Sequence, residues 1–151
     1  MIYSENIIQH CSLLAESYSL LTGNRLIDNA ITGEALAKAL YEAPFVLVSH
    51  GIEADPIFNF ANKKAQELWE MDWNEFTSTP SRLSAEPMEQ LARQQFLQDT
   101  QKKGFSANYS GIRISKTGQR FQILNTVLWN LKDSNGDYKG QAAVFSEWKF
   151  I

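Results

Sequence analysis

The sequence predicts an α+β domain built on one five-stranded antiparallel sheet. Three observations carry this. Two helix-period segments open the chain. Five short runs rich in β-branched and aromatic residues follow, set as a pair and then a trio. Three further helical segments lie between the pair and the trio, which is the segregated order of an α+β fold.

The first helix reads from residues 4–22, with Ser4 as its cap and Gly23 as its stop. Ile7, Cys11, Leu14, Tyr18 and Leu21 step by four and three and form one apolar stripe. A second helix spans 32–42, with Thr32 at its start and Pro44 behind its end. "FVLVS" (45–49) and "PIFNF" (56–60) are strand runs joined by the turn "HGIEAD", so they predict a hairpin. Asn62 stands where a helix cap belongs, ahead of "KKAQELWEM", in which Ala65, Leu68 and Trp69 share a face. Asp72 caps a further turn. Ser84 is read as the cap of a longer helix over 85–102, with Met88, Leu91, Ala92, Gln95, Phe96 and Thr100 along one side and Gly104 as its stop. "SANYSGIRIS", "QRFQILNTVLWNL" and "QAAVFSEWKF", separated by turn residues, predict a three-stranded meander. Strict alternation along the middle strand places Phe121, Ile123, Asn125, Val127 and Trp129 on one face and Leu124 and Leu128 on the other. Both faces are therefore apolar and both need covering. The middle helices cover one, and the N-terminal stripe is the natural cover for the other. The division that follows is an N-terminal helical cap or dimerisation segment over 1–43 and a sheet domain over 44–151.

Composition narrows the function classes. The 151 residues are 44% hydrophobic, enough for one globular core. A net charge of −3 gives no broad basic surface for nucleic acid. Cys11 is the only cysteine, so an internal disulfide is impossible. No run approaches the roughly 20 apolar residues of a membrane span, and the start lacks the pattern of a secretory signal, so a cytoplasmic location is expected. No P-loop, nucleophile elbow or metal-spaced cluster is present.

"LVSHG", "DPIFNFAN", "ELWEM", "PSRLSAEP", "YSGIRIS", "GQRF", "WNLKD" and "GQAAVFSEW" occur in order over residues 40–148. On these motifs the chain resembles the MEKHLA domain, a PAS-related family. That family is known from standalone bacterial and algal proteins and from the C-terminus of plant homeodomain–leucine-zipper regulators. The resemblance implies a five-stranded sheet with helices enclosing a small pocket. It also implies a sensory or regulatory role, without carrying the plant transcription-factor role to a sequence with no DNA-binding region. Flavin-photoreceptor relatives use a cysteine on the helix beside the flavin, and haem-binding relatives a histidine on the long helix. Cys11 lies outside that region and 85–102 holds no histidine, so the resemblance argues against both cofactors here.

The ligand-binding candidates are His50, Trp69, Arg82, Phe96, Asn125 and Trp129. Each has a plainer alternative. His50 serves either a ligand or its own turn. Arg82 binds an anion or pairs with Glu86 at i+4. Asn125 requires hydrogen-bond partners if buried, from a ligand or from a neighbour. The tryptophans and Phe96 line a pocket or simply fill a core. The dimer-interface candidates are Ile7, Cys11, Leu14, Tyr18 and Leu21, whose heptad-like spacing also suits packing on the sheet. The leading expectation is a non-catalytic sensory domain with a small ligand, a homodimer or a separate signalling protein as partner, and neither nucleic acid nor membrane. One alternative is a small enzyme using His50 with Glu53 or Asp55 as acid and base. The other is an interaction module with a filled core.

Overall fold

The computed structural model describes residues 3–27 and 30–151, apart from the side chains of 87–89, 91, 92, 95 and 99. The expected Met88, Leu91, Ala92 and Gln95 stripe therefore lies outside the described residues. Local capping chemistry sets most helix ends. Ser4 accepts from the Ile7 N–H and starts α1 (Glu5–Thr22), and Gly23, in the left-handed region, ends it. α2 (Gly33–Tyr41) begins after Thr32, whose side chain makes no capping bond. Asn62 caps α3 (Lys63–Trp69), and Asp72 starts α4 (Trp73–Phe76) with a reciprocal capping box to Glu75. Ser84 is not a cap. It closes a 3-10 turn at Ser81–Ser84 by donating to the Ser81 carbonyl, and α5 (Pro87–Lys103) starts at Pro87, whose fixed φ and missing N–H suit a first helical position.

The strands are β1 (Val46–His50), β2 (Phe58–Ala61), β3 (Phe105–Ile114), β4 (Arg120–Lys132), β5 (Tyr138–Phe145) and β6 (Glu147–Phe150). The order β2-β1-β5-β4-β3 is the expected antiparallel sheet, with hairpin and meander joined by the β1–β5 pairing. Gly140 makes that pairing possible. A Cβ there would stand 1.9 Å from the His50 carbonyl oxygen. The expected last strand is broken at Ser146, and its second half, β6, leaves β5 and pairs with Phe121–Leu124 of β4.

That break has a counterpart in β4. Asn125 sits at φ 49°, and one extra residue is inserted between the Gly111↔Ile123 and Tyr109↔Thr126 pairs. Asn tolerates the left-handed region better than other non-glycine residues. A one-residue bulge reverses the facing of everything beyond it. Phe121 and Ile123 thus face α3 and α4, while Trp129 and Leu131 pack against α1 and α2. The continuous face expected from Phe121 to Trp129 does not exist.

The sheet is covered on both sides. One core joins Val46, Val48, Phe58, Trp69, Phe76 and Phe121; the other joins Cys11, Leu14, Leu40, Leu47, Phe60 and Trp129. The N-terminal stripe is spent on the second core. Cys11 and Leu14 are fully buried, and Ile7, Tyr18 and Leu21 pack around them. His10, on the same helix, hydrogen-bonds Ser49 at 2.8 Å, and Ser49 donates to Asn59, which ties α1 to the hairpin.

Asn62 is fully buried and uses its whole amide. Its Oδ1 accepts from the N–H groups of Leu47 and Ala65, and its Nδ2 donates to the carbonyls of Leu40 and Phe45. Replacing Asn62 with Ala orphans two donors and two acceptors in a dry site. We expect a loss on the order of 3 kcal/mol or more in urea unfolding, and a loss under about 1 kcal/mol would contradict this role. A second prediction concerns acid. Burial lowers the His10 pKa from 6.5 to about 4. The folded value lies below the unfolded one, so the stabilisation is complete above pH 6.5 and declines as pH falls towards 4. A His10→Gln variant should show a shallower decline over that window than the parent chain.

Candidate functional site

Cross-strand register builds the floor of a cavity. On the face towards α5, Val48, Ala143 and Leu128 form one row across β1, β5 and β4. His50, Gln141 and Asn130 form the next. The first row is apolar and the second polar. Trp69 of α3, Phe58 and Phe145 form walls; Arg93 and Leu97 of α5 form the roof; Arg113 enters from β3. The enclosed volume is about 40 Å³. That is on the scale of one or two waters, far below the roughly 300–1,000 Å³ of drug-sized pockets. An outer cleft of about 350 Å³ lies between the β1–β2 turn and α5, and His50, Arg93, Leu97 and Gln141 line both spaces.

The polar groups here are unusual for their burial. Arg93 is 8% exposed and Arg113 is 5% exposed, and among the described residues neither forms a salt bridge. Arg113 donates to the Ile112 carbonyl and, at 3.0 Å, to the Tyr109 hydroxyl. It lies back over Gly111, where a Cβ would stand 3.0 Å from its Nη1. Burial, reinforced by the Arg113 charge, lowers the Arg93 pKa to about 10, so it stays protonated at neutral pH. Burial also lowers the His50 pKa, and the imidazole is neutral at pH 7. His50 Nδ1 lies 2.9 Å from the Gly51 carbonyl oxygen, which can only accept, so Nδ1 carries the proton and Nε2 presents a lone pair. His50 Nε2 and Trp69 Nε1 are buried without partners among the described residues.

α5 is held largely by polar contacts at this end. Gln141 donates to the Leu97 carbonyl and to Asn130 Oδ1, while Asn130 Nδ2 lies within hydrogen-bond reach of the Thr100 and Gln101 carbonyls. The buried residues Arg93 and Thr100 face inward. Sequence reasoning sought an apolar stripe and passed over Arg93, Arg113 and Gln141. Nothing in an isolated arginine signals burial.

Of the six ligand candidates, the structure brings His50 and Trp69 to the cavity. Arg82 lines only the outer cleft, where its Nε lies 3.1 Å from both Asp55 oxygens; Glu86, its expected partner, pairs with Arg120. Phe96 stacks on Tyr109 at 4.2 Å between ring centres, outside the cavity lining. Asn125 is exposed and donates to Glu147, because the bulge turns it out of the sheet. Trp129 lies on the opposite face, 4.9 Å from the Tyr18 ring, for the same reason. His50, Glu53 and Asp55 all border the outer cleft, but no hydrogen bond joins His50 to either carboxylate among the described residues. Glu53 and Asp55 are exposed; Glu53 accepts from the Ile57 N–H, and Asp55 holds Arg82. No cluster of metal-ligating side chains occurs among the described residues, and no described helix is long and apolar enough to cross a membrane.

The cavity does not fit a flavin. Its volume is too small for a tricyclic ring, and Trp69 is packed edge-on against Phe76, Phe121 and Phe145. Cys11 lies across the sheet, and burial pushes its thiol up to about 12.

Solved structures share the fold. A PAS domain of a protein from Colwellia psychrerythraea matches with a TM-score of 0.65 at 14% identity, over 78% of this chain and 95% of its own. A light-oxygen-voltage domain studied with a flavin analogue gives 0.61 at 17%, over 78% and 84%. An RNA-binding light-oxygen-voltage receptor gives 0.63 at 15%, over 82% and 36%. No curated protein matches the sequence. The family model described as the MEKHLA domain matches residues 8–150, nearly the whole chain. With its PAS-like sheet and its cavity under α5, the chain belongs to the MEKHLA domain family, which is PAS-related.

Proposed function

We propose that this chain is a non-catalytic sensory or regulatory binding domain that admits a small ligand beneath α5 and passes the resulting change to a protein partner. The observation that supports this most directly is that His50 and Trp69, two side chains lining a cavity that two arginines also line, each carry a buried ring nitrogen without a partner among the described residues. A buried polar atom without a partner costs about 1–3 kcal/mol, and a ligand that satisfies it recovers that loss. α5 rests on the cavity through amide and guanidinium groups, so occupancy that recruits Arg93 changes how α5 is held. A ligand biases such an element by its differential affinity for the two arrangements. Output runs through a separate signalling protein or through self-association. A homodimer would need surface beyond Cys11 and Leu14, which α1 already commits to its own sheet.

A second reading, an interaction module with a filled core, has one observation in its favour: the aromatic cluster around Trp69 occupies most of the interior. Native mass spectrometry with an absorbance spectrum of the same sample separates the two. The sensory reading predicts a bound mass that leaves on denaturation and is lost in Leu128→Phe, which fills the cavity while keeping the fold. If the parent chain is bare and Leu128→Phe is more stable than the parent, the filled-core module stands instead.

A further inference from the structure

Three features of the cavity have no use in the fold as described. Two buried guanidinium groups lie near one another, with no carboxylate paired to either among the described residues. Among the described residues, the Trp69 Nε1–H has no acceptor and His50 Nε2 offers a lone pair with no donor. Buried like charges are held at a cost that an anion between them relieves. Guanidinium groups favour planar, two-oxygen anions. The floor is apolar along Val48, Ala143 and Leu128, which suits a ligand with a hydrocarbon end.

We propose that the cavity is a carboxylate site, occupied by a monocarboxylic acid no larger than acetate, with its two oxygens towards Arg93, Arg113 and the Trp69 N–H and its methyl end on the Val48–Ala143–Leu128 row. This rests on the ligand-binding reading above and names its chemical class.

The donors and the apolar floor together favour a carboxylate over other small anions. Arginine and indole N–H groups supply donors only. The His50 lone pair needs one proton. A carboxylic acid supplies both halves: its proton passes to Nε2, no other bond breaks, and the resulting carboxylate accepts from the donors. When the ligand arrives from neutral solution as the anion, the proton comes from water, so binding takes up one proton per site. Arg93 and Leu97 from α5, Gln141 from β5 and Glu53 from its own loop are the side chains around His50. Burial opposes its protonation most and the Arg93 charge adds to that, while Glu53 and Gln141 favour it. A carboxylate set against Arg93 removes the Arg93 share of the opposition. Nitrate and chloride carry no alkyl group for the Val48–Ala143–Leu128 row, and a neutral amide leaves the two arginines, unpaired among the described residues, uncompensated.

The test is calorimetric titration of the full chain with sodium acetate, acetamide and sodium nitrate, each in two buffers of different ionisation heat. Acetate should bind saturably with uptake of a proton, and bind more tightly at pH 6 than at pH 8. Arg93→Gln and Arg113→Gln should each weaken it at least tenfold with the circular dichroism spectrum unchanged. Arg113→Lys keeps the charge and serves if the Gln variant fails to fold; it should bind more weakly than the parent. Acetamide binding as tightly as acetate overturns the anion class and leaves the ligand-binding reading intact. Nitrate binding as tightly overturns the carboxylate in favour of an inorganic anion. No binding by any of the three overturns the inference. If the purified chain also carries no bound mass, the ligand-binding reading falls with it.

Discussion

The architecture depends on one amide. Asn62 has a single carbonyl oxygen and a single NH2, and the fold uses every hydrogen-bonding direction they offer. The oxygen holds the Leu47 N–H of β1 and the Ala65 N–H of α3; the nitrogen holds the carbonyls of Leu40, in α2, and Phe45, just ahead of β1. Three chain segments, the end of α2, the start of β1 and the junction of β2 with α3, meet at a fully buried point where no water can substitute. This fixes where the hairpin turns into α3 and so where Trp69, six residues from the cap's first helical position, enters the interior. It also anchors the end of the N-terminal pair of helices to the sheet. Asparagine is suited to this because a carboxylate lacks the donors and an aliphatic side chain lacks everything.

What that junction positions is a sheet with unlike faces. The α1 side is closed by Cys11, Leu14, Tyr18 and Trp129, a dry apolar layer. The α5 side begins apolar and ends polar, in the row His50, Gln141, Asn130. A helix seated over amides and buried guanidinium groups is specified by geometry more than by area, since such groups are costly unless satisfied.

The elements that could be read from the sequence were those set by neighbours along the chain. Ser4, Asn62 and Asp72 cap their helices because the cap bond spans three residues, and the paired and tripled strands follow from turn residues such as Gly118 and Gly136. The faces of β4 were misread beyond Asn125 because alternation assumes an unbroken ladder. The signal was present: Asn108 and Asn125 stand in otherwise strand-like runs, Asn is unfavourable there, and both adopt positive φ beside the Tyr109↔Thr126 pair. Trp129 and Asn125 therefore left the site together. The candidate site itself was half legible. His50 and Trp69 stood out by type and position, whereas Arg93 and Arg113 look like ordinary solvated charge. Their burial depends on Gly111 leaving space on β3 and on α5 docking from about thirty residues away in sequence from Phe58, a long-range fact with no local trace.

The central claim is that Trp69, Arg93 and Arg113 share one ligand-ready cavity on the α5 side of the sheet. Proton–nitrogen NMR of their side-chain N–H groups during titration with sodium acetate tests it most directly. The Trp69 indole and both guanidinium Nε–H resonances should shift together and saturate at one common affinity, while the Trp129 indole, on the opposite face, stays in place. If the Trp69, Arg93 and Arg113 signals do not move, or move no more than that of Trp129, the cavity is not a site and the interior is simply core.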